Sequence, residues 1–159
     1  MYSNYIHARS VDSKHHPSRD WVKNYHASIK HLIPQNMIVY GENVYAKHSI
    51  AYTDLDSYFY GFAVSVYGVI LPWPICKDIF DDLGICSVEE LYTGPYTPDI
   101  HDSIQAKLDL DTDEGYVIRK VTAYEHSEMC RYTAKWVRPG HVQTNKHWAH
   151  QKIQPNLLK

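Results

Sequence analysis

The sequence predicts an α+β fold, in which pairs of strands are interspersed with a few helices. Two kinds of pattern support this. Residues 37–45 and 57–71 are rich in β-branched and aromatic side chains, as strands are. Residues 21–32 instead repeat apolar side chains at helical spacing. No internal repeat interrupts these patterns, so we expect a single globular unit.

The first elements lie before residue 35. A short strand is predicted at residues 5–9, followed by a polar, basic loop. The helix over residues 21–32 is predicted to begin at a cap formed by Ser18 or Asp20. Pro34 then ends this helix, because proline cannot continue it.

Strands are predicted next at residues 37–45 and 57–71, with a connecting loop at 47–56. A short amphipathic helix follows over residues 74–83. Its side chains Ile75, Ile79 and Phe80 are expected to face inward.

In the second half, Ser87 and Glu90 match the spacing of a capping box, which predicts a further helical turn. A helix is predicted from residue 97 or 99 to residue 108, and strands at 115–121 and 132–137. The last twenty residues are rich in histidine. We assign residues 1–150 to the domain and 151–159 to a tail.

Composition limits the function. The chain has 159 residues, a formal net charge of −2 and a pI of about 6.6, so it has no global basic field to attract nucleic acid. Any such contact must be local. The Lys and Arg residues cluster at 9–30 and 131–152, and the acids between 78 and 114.

The cysteines and the hydropathy indicate the compartment. Cys76, Cys86 and Cys130 are too few and too far apart for a disulfide framework or a four-thiolate zinc site. No apolar run approaches the roughly 20 residues of a membrane helix, and no apolar signal core is present at the start. We therefore expect a reduced, cytoplasmic protein.

Five motifs occur in a particular order along the chain. They are Ile-His-Ala-Arg-Ser at residues 6–10, Val-Tyr-Gly-Glu-Asn at 39–43, Tyr-Phe-Tyr-Gly-Phe at 58–62, Glu-Gly-Tyr-Val-Ile-Arg at 114–119 and Ala-Lys-Trp-Val-Arg at 134–138. In this order they resemble the RNA ligase family, within the covalent nucleotidyltransferases that also include DNA ligases and capping enzymes. The resemblance spans residues 5–150. It implies a nucleotidyltransferase (ATP-grasp-like) domain of antiparallel sheets with flanking helices, missing its first strands.

The resemblance implies that ATP and Mg²⁺ or Mn²⁺ are the cofactors. Phe59 would stack on adenine, with Tyr60 as the second candidate, and Glu42 would accept a hydrogen bond from a ribose hydroxyl. Glu114 would hold the metal through water, because magnesium keeps several waters and takes few carboxylates. Lys135 would contact the phosphate next to adenosine.

The same resemblance implies contacts with RNA ends, which carry a 5′-phosphate or a 3′-hydroxyl. Arg9 and Arg138 would bind the RNA phosphate, since a planar guanidinium suits that geometry. Glu114, Lys135 and Arg9 would then be the catalytic residues.

One departure from the family pattern concerns the nucleophile. Relatives transfer AMP to the lysine of a Lys-x-Asp-Gly motif, and this sequence contains no such motif. The nearest match begins at Lys107, lacks the glycine and falls after the Glu42 motif, so we treat it as a decoy. The family pattern places the motif shortly before residue 2. We therefore expect an amino-terminally truncated domain that cannot adenylylate itself.

Other interpretations stay open beside the RNA ligase hypothesis. The absent lysine motif favours a non-catalytic remnant or RNA-binding module of the same fold. A capping enzyme or DNA ligase is less favoured, since no oligonucleotide-binding domain fits after the motifs. Histidine groups at 15, 16, 26 and 31 and at 141, 147 and 150 suggest a metal site, but neither group has cysteine partners at ligand spacing.

Overall fold

A computed structural model describes residues 1–8, 17–47, 50–140 and 153–159. Within these ranges the chain forms four α-helices, three short 3-10 helices and seven strands. The α-helices are α1 (Asp20–Ile29), α2 (Trp73–Leu83), α3 (Ile100–Gln105) and α4 (Met129–Tyr132). The strands are β1 (Met37–Asn43), β2 (Phe59–Val66), β3 (Val69–Ile70), β4 (Cys86–Ser87), β5 (Gly115–Arg119), β6 (Tyr124–Glu125) and β7 (Thr133–Val137).

The strands form two sheets. The larger one has the order β1-β2-β3-β6, with β4 also paired to β2. The smaller one is a two-stranded ribbon of β5 and β7. Every pairing is antiparallel except that of β2 with the two-residue β4. The predicted α+β class with antiparallel sheets is therefore confirmed.

A β-bulge divides the long β1–β2 pair. Tyr40 pairs with Ala63, but the next residue, Gly41, pairs with Gly61, so Phe62 is an extra residue in β2. An extra residue shifts the alternation of side chains by one position. Phe59 and Val64, five residues apart, consequently lie in the same core cluster.

The predicted long strand over 57–71 is a hairpin instead. β2 ends at Val66, and β3 returns from Val69 after a two-residue turn. Tyr67 and Gly68 adopt positive φ values of 50° and 81°, as tight hairpin turns require. The apolar pattern predicted one long strand and missed the turn, because only Gly68 indicates it.

Two core clusters hold the domain together. The larger one lies between α1, α2 and one face of the β1–β2 pair, and its centre is the fully buried Phe80 ring. Burying a phenylalanine side chain stabilises a fold by about 1.5–3 kcal/mol. The smaller cluster contains Ala63, Ile70 and Tyr124. Helices α1 and α2 cover the larger cluster, and Met129 and Tyr132 of α4 pack against the smaller one.

The predicted helices are present, with shifted ends. α1 begins at Asp20 and continues as a 3-10 helix to Leu32, and Arg19 rather than Ser18 or Asp20 occupies its N-cap position. α2 ends at Gly84, whose φ of 65° places it in the left-handed region that favours glycine. No helix in the described ranges is long and apolar enough to cross a bilayer.

Two local predictions are wrong. Residues 5–8 form no strand, although the predicted strand also includes position 9, which is outside the described residues. The Ser87 capping box does not form either. Ser87 lies in β4, and the Glu90 carboxylate accepts hydrogen bonds from Trp73, Lys77 and Thr93. These more distant donors compete successfully with a local cap.

Residues 153–159, assigned above to a tail, are held firmly against the loop that joins β1 and β2. We call this stretch the C-terminal segment. Its backbone bonds to Tyr45, Tyr52 and Leu55, and Lys159 forms an ion pair of 3.0 Å with Asp56. Asn156 is buried and its side chain bonds to the loop as well. This segment is therefore an integral part of the fold.

Candidate functional site

The face of β1–β2 that is turned away from the larger core cluster carries two of the predicted site residues. Glu42 and Tyr60 are directly opposite one another across the strand pair, so their Cβ atoms are about 5 Å apart. The Tyr60 ring is half-buried, and its hydroxyl accepts a hydrogen bond of 3.0 Å from the Asp56 backbone N–H. A carboxylate and an aromatic ring thus lie side by side on one surface, which we call the cleft floor.

Phe59 lies on the other face of the same strand. Its side chain is 4% exposed and belongs to the larger core cluster, where its ring approaches that of Tyr25. Because strand side chains alternate, the neighbours Phe59 and Tyr60 necessarily face opposite ways. No face of the Phe59 ring is open to a ligand in this conformation, whereas Tyr60 is accessible.

The β5–β7 ribbon carries the third site residue, Lys135. One face of the ribbon is packed: Tyr116 and Trp136 stack with centroids 5.3 Å apart, and the Tyr116 hydroxyl is 2.9 Å from Nδ1 of His101 in α3. Lys135 pairs with Val117 on the other face, and its side chain is exposed. The packed face therefore fixes the ribbon, and the other face presents the lysine.

Electrostatics show that the two sheets bring their charges together. Glu42 is exposed, yet desolvation by the surrounding protein raises the pKa of its carboxyl group. The Lys135 ammonium opposes that rise in the pKa of Glu42, and the Glu114 carboxylate adds to it. Effects on the pKa of Glu42 require both of these charges to lie near its carboxylate. Glu42, Glu114 and Lys135 thus form one group, which we call the charged triad.

Tyr52 also belongs to this region, although the sequence did not predict it. Burial, together with the nearby carboxylates of Glu114 and Asp113, raises the pKa of its phenol to about 12, while Arg138 opposes this rise. Tyr52 lies in the loop between β1 and β2, where its backbone N–H donates to Asn156 Oδ1 at 2.9 Å. No motif contains this residue, so only its position in space reveals it.

Arg138 lies next to the charged triad, but its side chain turns toward the loop between α3 and β5. Its backbone N–H donates to the Glu114 carbonyl at 3.0 Å, and its Nη1 donates to the Leu110 carbonyl. The buried Nε has no hydrogen-bond partner within the described part of the chain. Arg138 thus connects the start of β5 with the end of β7. Arg9, the other predicted phosphate contact, is outside the described residues.

The motif glycines have steric reasons to be glycine. A Cβ on Gly41 would lie 2.6 Å from the Tyr60 carbonyl oxygen, and one on Gly61 would lie 2.6 Å from the Phe80 ring. Gly115 has a φ of 152°, and a Cβ there would collide with the Trp136 carbonyl oxygen. These glycines allow the close backbone approach that positions Glu42, Tyr60 and Glu114.

The described residues contain no group of three or more His, Cys, Asp or Glu side chains that could hold a metal ion. A metal bound through water to a single carboxylate such as Glu114 does not require such a group. Lys107, the lysine of the near-match motif, lies in the turn after α3, where its N–H donates to the Ile104 carbonyl.

Taken together, the antiparallel α+β fold carries two carboxylates and one ammonium group that come from both of its sheets. Comparison with known families goes one step further. A model of the RNA ligase family matches residues 1–137, and the chain belongs to that family. A search of curated proteins and a search of solved structures returned no significant match. The family match includes the charged triad and ends before the C-terminal segment.

Proposed function

We propose that the chain binds ATP between the cleft floor and the β5–β7 ribbon, and that it takes part in the ATP-dependent joining of RNA ends. The charged triad is the observation that carries this proposal. Its members come from β1, from the residue before β5 and from β7, and they combine two carboxylates with one ammonium group. A nucleoside triphosphate and its metal need this combination: acceptors for ribose and metal, and a cation for phosphate.

The adenosine part of ATP would lie on the cleft floor. Tyr60 provides an accessible aromatic face for adenine, and the burial of Phe59 favours Tyr60 over it for this role. Glu42, directly opposite Tyr60, would accept a hydrogen bond from a ribose hydroxyl. A base and its sugar are attached to one another, so their contacts should be adjacent, as this cross-strand pair is.

The phosphates would extend from there toward the ribbon. Lys135 would neutralise the phosphate next to adenosine, and Glu114 would hold Mg²⁺ or Mn²⁺ through a bound water. Arg9 and Arg138 remain the proposed contacts with the phosphate of an RNA 5′ end. Arg138 would need to release the Leu110 carbonyl to reach a ligand.

The nucleophile is the part of the reaction that this sequence does not provide. Because it contains no Lys-x-Asp-Gly motif, we propose that this chain by itself binds ATP without forming a lysyl-AMP adduct. The same observation favours a second candidate function, a non-catalytic RNA-binding module of this fold. The two differ in whether the cleft binds ATP.

Incubation with α-labelled ATP and magnesium, followed by a denaturing gel, tests the nucleophile. Calorimetric titration with ATP in parallel tests the cleft. We expect no covalent label, together with reversible ATP binding that Lys135→Ala weakens about tenfold, since a hydrogen bond to a charged group contributes about 1.5–3 kcal/mol. Lys107→Ala is the matched control, because Lys107 is an exposed lysine outside the charged triad.

Each outcome has a definite meaning. Label that disappears in Lys107→Ala would show that the near-match lysine is the nucleophile after all. Equal ATP affinities for Lys135→Ala and Lys107→Ala would refute the proposed phosphate contact. Absence of ATP binding by the unmodified chain, with RNA still bound, would leave the RNA-binding module as the function.

A further inference from the structure

An exposed group of aromatic rings lies near the start of the chain. Tyr2 and Tyr5 stack with ring centroids 4.2 Å apart and planes 12° apart, and the His7 ring is 5.5 Å from Tyr2. We call these three rings the aromatic cluster. Tyr5 is 48% exposed, and none of the three side chains forms or flanks either core cluster. Burial in the core therefore does not explain why the rings are gathered here.

The backbone holds the aromatic cluster in a defined position. Tyr2 N–H donates to the Tyr5 carbonyl at 2.9 Å, and His26 Nε2 in α1 donates to the Tyr2 carbonyl at 2.6 Å. One residue earlier, Val39 N–H of β1 donates to the Met1 carbonyl at 2.9 Å. The segment that carries the rings is thus attached both to α1 and to β1. Little conformational entropy of this segment is therefore lost when a ligand stacks on the rings.

The aromatic cluster borders the cleft floor. β1 is the edge strand beside residue 1, and Tyr40 of β1 lies on the same face as Glu42, two residues away. The Tyr2 phenol lies near Tyr40, one residue after the Met1 carbonyl that accepts from Val39 N–H; burial raises the pKa of Tyr2, and Tyr5 and Tyr40 add to this rise. A strand of nucleic acid whose end enters the cleft would therefore meet these rings at its edge.

Chemistry identifies the ligand class. Unpaired RNA bases are bound by stacking on aromatic side chains, including tyrosine and histidine. The adjoining stretch 9–30 has five Lys and Arg residues and two Asp, although the whole chain has a net charge of −2. Exposed rings followed in the sequence by a positively charged stretch suit a single strand, which offers phosphates and bases together.

We propose that the aromatic cluster is a stacking site for unpaired bases of an RNA strand whose end enters the cleft. This inference rests on the proposed function, because it takes the cleft as the place where an RNA end is bound. It adds a preference for single-stranded over fully paired ends.

Fluorescence anisotropy with a short, labelled, 5′-phosphorylated oligoadenylate tests the inference. The same oligonucleotide paired into a blunt duplex provides the comparison. Loss of one stacking partner weakens binding by about tenfold, so we expect that change for Tyr5→Ala with the single strand only. Tyr5→Phe retains the ring and should bind like the unmodified chain. The control is Tyr92→Ala, a tyrosine of similar exposure at 43% on the loop before α3.

Calorimetric titration of each variant with ATP separates this inference from the proposed function. If Tyr5→Ala binds the single strand as tightly as Tyr92→Ala does, the stacking site is refuted, whether or not ATP binds. An equal loss of single-strand and duplex binding also refutes it. Failure of the unmodified chain to bind ATP would overturn the proposed function instead. Unchanged far-ultraviolet circular dichroism and the Tyr5→Phe variant exclude misfolding as the cause of a loss.

Discussion

Replacing Asn156 by alanine tests how much the C-terminal segment stabilises the protein. Asn156 is 3% exposed; its Oδ1 accepts a hydrogen bond from Tyr52 N–H at 2.9 Å and its Nδ2 donates to the Val44 carbonyl at 2.7 Å. Alanine removes both bonds. The Tyr52 N–H and the Val44 carbonyl, both partly buried, then lose these hydrogen-bond partners.

The size of the effect follows from those two groups. Leaving one buried polar group unsatisfied costs about 1–3 kcal/mol, and partial access to water keeps each cost near the lower end of that range. The free energy of unfolding should therefore fall by about 2–3 kcal/mol. Since small domains have a total of about 5–15 kcal/mol, this is a large fraction of the stability.

Urea denaturation measures this change. With a slope of about 1–3 kcal/mol/M, the midpoint should decrease by about 1 M at an unchanged slope. The control is Leu157→Ala, because Leu157 is 55% exposed and its backbone bonds do not depend on its side chain. It should remain within about 0.5 kcal/mol of the unmodified chain. Equal midpoints for Asn156→Ala and Leu157→Ala would refute the reasoning.

Three further predictions concern the site and its surroundings. Glu42→Gln should weaken ATP binding about tenfold in calorimetry and increase stability at neutral pH. Desolvation raises the pKa of Glu42, so the contribution of Glu42 to stability decreases as pH rises from the ordinary glutamate pKa through the raised one. Equal urea midpoints of the variant and the unmodified chain at neutral pH would contradict this. Hydrogen bonds from Thr93, Lys77 and Trp73 lower the pKa of Glu90 to about 2, so the stability that Glu90 contributes is complete above the ordinary glutamate pKa and is lost as pH falls toward 2. Glu90→Gln should therefore flatten the acidic part of the plot of urea midpoint against pH. Parallel plots for the variant and the unmodified chain would argue against this. Gly115→Ala should lower both the thermal midpoint and the ATP affinity, because the added Cβ would collide with the Trp136 carbonyl oxygen. The free energy of unfolding should fall by about 1–3 kcal/mol. An unchanged thermal midpoint would show that the ribbon adapts to the added methyl group.

The sequence was most informative where a regular pattern decides the structure. α2 begins one residue before its predicted start and ends at Leu83 as predicted, because prolines and Gly84 fix both ends. β1 and the ribbon strands were likewise predicted to within two residues. Local patterns of apolar residues, prolines and glycines are sufficient for elements of this kind.

Features that depend on distant partners could not be predicted. The Glu90 carboxylate accepts hydrogen bonds from Trp73 and Lys77 instead of capping a helix, and nothing near Glu90 in the sequence indicates this. Asn156 likewise looks like part of a polar tail until its bonds to the loop are seen. In the candidate site, the sequence identified Glu42, but Tyr52 required the fold.

The bulge at Phe62 gives β2 a fixed length. After it, Val64 lies in the larger core cluster and Ala63 in the smaller one. Deleting this one residue would move Val64 to the cleft side and Ala63 and Ser65 into the larger core, because a shift by one reverses every later position. Substitutions can accumulate along β2 while its number of residues cannot change. Natural variation in this region should therefore consist of exchanges and not of insertions or deletions.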